Sequence, residues 1–274
     1  MPMSINNNQT AQTALQNLNA TQGDLAITMR RISTGQKVSQ ASDNGAVFAI
    51  AQNQRGTARV YDTVMESLNR VQSTVDVAAA AATVVSDLLL QMKEKALAAT
   101  DASVDATSRT ILNTDFVALR DQLTKAVTNA SFNGVNLLNQ SASISALAND
   151  TGVSKITVAS SSLGLNSTNV KVTGATTVTT TGTASAALGL VNTSIVNVST
   201  VLAGFGTKSK ILGQHRDFIA KLKDAVDSGI ANITDADLSK ESAKLQALQT
   251  KQQLGYNALS IANSSTQSML SLFR

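Results

Sequence analysis

The chain has 274 residues, 22 Lys and Arg against 18 Asp and Glu, one histidine, one proline and no cysteine. Disulfides and thiolate chemistry are therefore excluded, and basic residues occur as scattered pairs (Arg30 and Arg31, Lys93 and Lys95, Lys208 and Lys210), not as a nucleic-acid-binding stripe. Hydrophobic residues make up 43% but aromatics only 3%, which suits long helical packing with small seam residues.

The first charge is Asp24, and none lies between Lys251 and Arg274, yet both ends carry leucines. From Leu15 a stripe runs Leu15, Leu18, Leu25, Met29, Ile32, predicting an amphipathic helix that stops near Gly35. Ser42, Asp43 or Asn44 then supplies the cap of the next helix. That helix has the longest pattern in the chain: Val60, Val64, Leu68, Val71, Val75, Ala78, Ala82, Val85, Leu89, Met92, Ala96 and Ala99 step by threes and fours. About 40 helical residues span roughly 60 Å, so the pattern points to a rod.

Leu112, Phe116, Leu119, Leu123 and Val127 predict a third helix, returning antiparallel. Asn133–Gly134 in SFNGVNLLN signals a tight turn. From 126 to 207 only Asp150, Lys155 and Lys171 are charged. KITVAS and NVKVTG read as strands, and TTVTTTGT (176–183) as an exposed hairpin or loop. Helical spacing resumes with Phe205, Leu212, Ile219, Leu222, Val226 and Ile230. After a break at NITDAD, capped by Thr234 or Asp235, a last helix carries Leu238, Leu245, Leu248, Leu254, Ala258, Ile261 and Leu272.

Catalytic chemistry finds no support in the residues. His215 has no histidine or cysteine with which to hold a metal, and reads as a surface or packing residue. AGFGTKSK lacks phosphate-loop spacing, and ASDNGA lacks the ligands of a calcium loop. No cofactor is expected. No run approaches 18 apolar residues and no secretory signal pattern opens the chain, so neither membrane insertion nor a cleaved signal peptide is expected. The uncharged polar faces of the terminal helices suit dense burial against protein, because amides and hydroxyls pair without the cost of desolvating a charge. The ends are expected to be disordered in a monomer and to fold when copies associate.

SINNNQTAQTALQNLNATQGDLAITMRRISTGQKVSQASDNGAVFAIA resembles the N-terminal signature of bacterial flagellins, SFNGVNLLN their FNG segment, and DADLSKESAKLQALQTKQQLGYNALSIANSSTQSMLSLFR their C-terminus. The resemblance implies a mainly α fold: a long antiparallel helical rod or coiled coil, with paired terminal helices and a small β-hairpin-rich insert. It implies five segments: 1–42, an inner-core helix; 43–140, rod-layer helices and the FNG turn; 141–204, a small solvent-facing β insert; 205–234, a returning rod helix; 235–274, a second inner-core helix.

The function implied is a non-enzymatic subunit that polymerises into an extracellular flagellar filament for motility. Its partners would be other copies, the export apparatus and chaperone, the filament cap and the hook-junction proteins. The alternative is a hook–filament junction protein. Inter-subunit packing is assigned to Leu15, Leu18, Leu25, Met29, Ile32, Leu254, Ala258, Ile261 and Leu272. The rod core is assigned to Val64, Leu68, Val71, Val75, Val85, Leu89, Leu119, Leu123, Leu212 and Ile219. Gln36 and Asn44 depart from the family pattern, and Ser and Thr from about 160 to 194 are candidate glycan acceptors. Gln91, Lys95 and Asp115 stand where the family contacts the animal toll-like receptor for flagellin. Gln91 replaces a guanidinium and Lys95 an apolar contact, so weak activation is expected.

Overall fold

The computed structural model describes residues 8–139 and 143–271, with side chains as far as residue 264. Its elements are α1 (Gln9–Thr34), α2 (Gly45–Thr100), α3 (Ala106–Asn129), β1 (Ile144–Leu147), β2 (Lys155–Val158), α4 (Thr181–Thr234) and α5 (Leu238–Ser271). They fall into two compact units, one of residues 1–57 and 225–274, the other of 58–224. Each unit therefore takes part of α2 and part of α4.

The unit 58–224 is organised by the threes-and-fours stripe of α2. Every member from Val64 to Ala99 is buried, whereas Val60 at its start is 38% exposed. Phe116, Leu123 and Val127 of α3 and Val198, Phe205, Leu212 and Ile219 of α4 close the same core, with Leu119 half-buried at its edge. Arg109 of α3 donates to the carbonyls of Ala99, Asp101 and Val104, satisfying acceptors left open where α2 ends. Asp105 caps α3 by accepting from the Ser108 amide at 2.7 Å. Across the helices, Gln72 donates to Ser209 at 2.6 Å and Lys223 pairs with Asp62 at 2.5 Å, an antiparallel arrangement of α2 and α4.

The FNG turn forms where the sequence places it. Asn133 and Gly134 have φ of 48° and 78°, and Phe132 and Val135 exchange both backbone hydrogen bonds, as a two-residue hairpin turn requires. The following residue, Asn136, is buried. It donates to the Val127 carbonyl at 2.7 Å and accepts from the Leu138 amide at 2.8 Å, tying the end of α3 to the chain that leaves it.

The β insert is smaller than its sequence pattern suggests. KITVAS supplies β2, which pairs antiparallel with β1 in the register Ile144↔Val158 to Leu147↔Lys155. NVKVTG does not form a strand. Val170 and Val172 are buried as alternation requires, but the Lys171 amide donates to the Ser194 hydroxyl and the Asn166 amide folds back onto the Val172 carbonyl. With its backbone groups taken locally and by α4, the segment has no ladder to join. The segment 176–183 is not a hairpin. It is a loop held by Asn113, which accepts from the Val178 amide, and by Arg120, which donates to the carbonyls of Gly174 and Thr176, and α4 begins at its end. The returning helix therefore starts at Thr181, not near 205. Its first turns hide from a strand-or-helix reading because Val, Thr and Ile are good strand formers that core packing overrides here.

α2 and α4 each contain an 18-residue window of mean hydropathy 1.5 with at most two charges, long and apolar enough to cross a membrane by length and composition alone. Ala, Val and Leu interleaved with Ser and Thr reach that mean without an unbroken apolar run. Part of each window, 39% on α2 and 22% on α4, is packed inside the fold.

Candidate subunit interface

In the unit 1–57 and 225–274, α1 and α5 lie antiparallel along a heptad-spaced seam. On α1 the covered or half-covered positions are Ala11, Ala14, Leu18, Thr21, Leu25, Thr28 and Ile32. On α5 they are Glu241, Leu245, Leu248, Gln252, Gly255, Leu259 and Ala262. Steps of three and four keep one stripe of each helix toward the other. Gly255 lies close against Leu18: an added Cβ would stand 3.2 Å from Leu18 Cδ1.

The two ends of the seam are tied by polar contacts. Asn8 accepts from the Ala11 amide to cap α1 and donates to the Ala262 carbonyl at 2.9 Å. At the other end Gly35, in the left-handed conformation at φ 69°, closes α1 and accepts from the Ala236 amide. The Lys37 amide reaches the Thr234 carbonyl at 2.7 Å. Between these ties, Arg31 pairs with Glu241 at 3.1 Å in a largely covered position. The connector after α1 is set by Asp43, which accepts from both the amide and hydroxyl of Ser39, from the Gln40 amide, and from Arg30 at 2.6 Å. Burial alone raises the pKa of Asp43, but these hydrogen bonds and the Arg30 charge outweigh it and hold the carboxyl below its ordinary value. Asp43 thus braces the turn, and of the three candidate caps it is Asn44 that starts α2, accepting from the Val47 amide. Asp237, not Thr234 or Asp235, accepts from the Ser239 and Lys240 amides to start α5.

The residues expected to pack between subunits divide into two sets. Leu18 is 5% exposed, and Leu25 and Ile32 are half-covered, so these belong to the seam within one chain. Leu18, assigned above to inter-subunit packing, is already covered within the single chain, where it lies against Gly255. Leu15, Met29, Leu254, Ala258 and Ile261 stay exposed, Leu254 at 62% and Ile261 at 69%. On α5 these lie at i, i+4 and i+7, an outer apolar stripe distinct from the seam. Leu272 lies outside the described residues. Sequence reading missed Thr21, Thr28 and Gly255 because it followed large apolar residues, although the heptad register running through Ala11, Ala14 and Leu18 contains the threonines.

The seam is imperfectly satisfied. The Thr28 hydroxyl, Arg31 Nε and Glu241 Oε2 are buried without hydrogen-bond partners among the described residues. Each such group costs about 1–3 kcal/mol against a paired one, so these three atoms offset part of what the α1–α5 seam gains from its buried leucines. Elsewhere, Lys95 and Asp115, expected near one receptor-facing surface, pair directly at 2.7 Å, with Gln91 exposed one turn before Lys95. His215 contacts the Ala148 carbonyl through Nε2 at 2.7 Å and lies beside Phe218, a packing role. Among the described residues no cluster of three or more His, Cys, Asp or Glu side chains could hold a metal.

Paired terminal helices that leave an apolar stripe uncovered are the feature this unit presents for comparison with known proteins. Family comparison makes this specific. Residues 5–143 match the bacterial flagellin N-terminal helical region and residues 188–273 the bacterial flagellin C-terminal helical region. The chain is 49% identical to flagellin FljK of Caulobacter vibrioides over 99% of its own length and 98% of that protein's. It is 35% identical to a flagellin of Brucella melitensis over 99% of both chains. The chain belongs to the bacterial flagellin family. Among solved structures, Bacillus cereus flagellin aligns at TM-score 0.51 and 20% identity, covering 56% of this chain and 88% of that one. A protein described as a Vibrio parahaemolyticus flagellar hook-associated protein aligns at TM-score 0.56 and 14% identity over 70% and 100%. At these identities the two structures speak for the fold alone.

Proposed function

We propose that the protein is a structural subunit of the bacterial flagellar filament, polymerising with copies of itself outside the cell to serve motility. The observation that carries this reading is the exposed apolar stripe Leu254, Ala258 and Ile261 on α5, with Leu15 and Met29 of α1 also left uncovered in a single chain, on helices with few charges. Burying it removes apolar surface from water at about 25 cal/mol per Å², and few charges stand in the way. The α1–α5 seam is proposed to consolidate only when neighbouring copies cover this stripe, so that folding of the ends completes on assembly.

Passage through the export apparatus without a cleaved signal, a chaperone for the uncovered ends, and contacts to cap and hook-junction proteins follow from the family reading. The segments 1–42 and 235–274 then form the inner layer, and 43–140 with 205–234 the surrounding one. Near-complete coverage at 49% identity to flagellins favours the filament subunit over the junction protein. The Lys95–Asp115 pair also occupies the acidic group that a receptor would need, which supports weak activation of the animal flagellin receptor.

The test compares the full chain with a truncation lacking 252–274, each seeded with sheared filaments and followed by sedimentation and electron microscopy. The reading expects filaments from the full chain and monomers from the truncation. A full chain that never polymerises on seeds would contradict it.

A further inference from the structure

The hairpin between β1 and β2 ends in a turn that displays a valine. Val153 is 84% exposed, an unusual residue for the tip of a well-braced turn. The bracing is extensive: the Ala148 amide donates to the Ser154 carbonyl, and the Gly152 amide to the Asn149 carbonyl with Gly152 at φ 71°. The Asn149 side chain accepts from the Ser154 amide and donates to Thr151, and His215 of α4 holds the Ala148 carbonyl. Val153 is therefore a fixed knob, and little conformational freedom is lost when it docks.

Beyond the other end of β2 the same unit has a concavity of about 260 Å³. Val158 and Phe205 are its buried apolar lining, Thr200 and Gly204 also line it, and Lys208 is its charged lining residue. Gly204 lies within a helix, where glycine weakens the backbone, and a Cβ there would meet nothing within 4 Å. The space above α4 is left open by a residue that helix stability alone would not select.

The charges are complementary. Asp150, exposed three residues from Val153, is the only acid between Asp121 and Asp217, and neither Asp150 nor Lys208 forms an ion pair among the described residues. The knob and the hole are separated by β2, roughly 16 Å at 3.3 Å per residue.

We propose that Val153 of one copy seats in the Val158–Phe205–Gly204 concavity of the next, with Asp150 facing Lys208, as a head-to-tail contact between subunits. A knob and a hole at different places on one molecule generate an open series of copies, not a closed pair. This contact rests on the filament reading above and adds to it a second interface, away from the terminal helices.

The chain has no native cysteine, so cross-linking is clean. Val153→Cys subunits copolymerised with Thr200→Cys subunits should cross-link on oxidation within sheared filaments, and the double variant should give a ladder on a non-reducing gel. Gly204→Leu, which favours the helix but plugs the concavity, should raise the critical concentration for seeded growth about tenfold with unchanged circular dichroism. Asp150→Lys should do likewise, and adding Lys208→Asp should restore growth. Filaments of the Val153→Cys and Thr200→Cys subunits that form but do not cross-link, together with normal growth of Gly204→Leu, would overturn the contact while leaving the filament reading intact. Cross-linking of the double variant to dimers only would overturn the head-to-tail arrangement. If wild-type protein forms no filaments on seeds, the filament reading itself fails and takes this contact with it.

Discussion

Arg31 and Glu241 meet across the α1–α5 seam at 3.1 Å with little access to water, and each keeps an unpaired buried atom. Such a pair fixes alignment more than it stabilises, because its desolvation offsets its attraction. Reversing either charge alone should cost about 1–3 kcal/mol and loosen the terminal pairing, read as faster proteolysis of α1 and α5. The swap Arg31→Glu with Glu241→Arg should recover most of that loss. Asp43, Asp101 and Asp105 carry a pH signature. At Asp101 and Asp105 the leading cause is a backbone hydrogen bond, from Ser103 and Ser108 respectively, and all three carboxyls are held below their ordinary value. Groups with a folded pKa below the unfolded one stabilise in full above the ordinary aspartate range. That contribution disappears as pH falls through it. Urea midpoints should drop on acidification below about pH 4, and Asp105→Asn should flatten the drop while lowering the midpoint at neutral pH.

At the scale of elements, α5 separates two roles that a simple leucine stripe runs together. Leu18 faces Gly255 inside one chain, whereas Ile261 faces out. Leu18→Asp should therefore disrupt the α1–α5 pair even in the monomer, by about 3 kcal/mol or more, and reduce helicity. Ile261→Asp should leave monomer stability within about 0.5 kcal/mol of wild type and still abolish seeded growth. Circular dichroism and sedimentation on both variants distinguish the two roles. The core of α2 was legible in the sequence because Val64 to Ala99 repeat without a break, and the FNG turn because only Asn and Gly accept its backbone so readily. The start of α4 was not legible. Residues 181–204 contain alternating β-branched side chains, and only packing of Ala184, Ala187, Val191 and Val198 into the core makes them helical. Nor were the tertiary pins legible. Asn136, Arg109 and Arg120 act on carbonyls that sequence position does not reveal.

For the molecule as a whole, the unit 58–224 buries a continuous core, while the unit containing both ends relies on a seam with threonines, a glycine and a half-satisfied ion pair. The account assigns the first to stability of the subunit and the second to assembly. A terminal region with an uncovered apolar stripe gains most from neighbours, so stability should rise steeply there on polymerisation and little elsewhere. Backbone hydrogen exchange, compared between monomer and sheared filaments, tests this most directly. The account predicts slow exchange of the 64–99 stretch in both states, and fast exchange of 9–34 and 238–264 in the monomer that becomes strongly protected in the filament. Equal protection of the terminal helices in the two states would contradict it, because the ends would then be complete before any copies met.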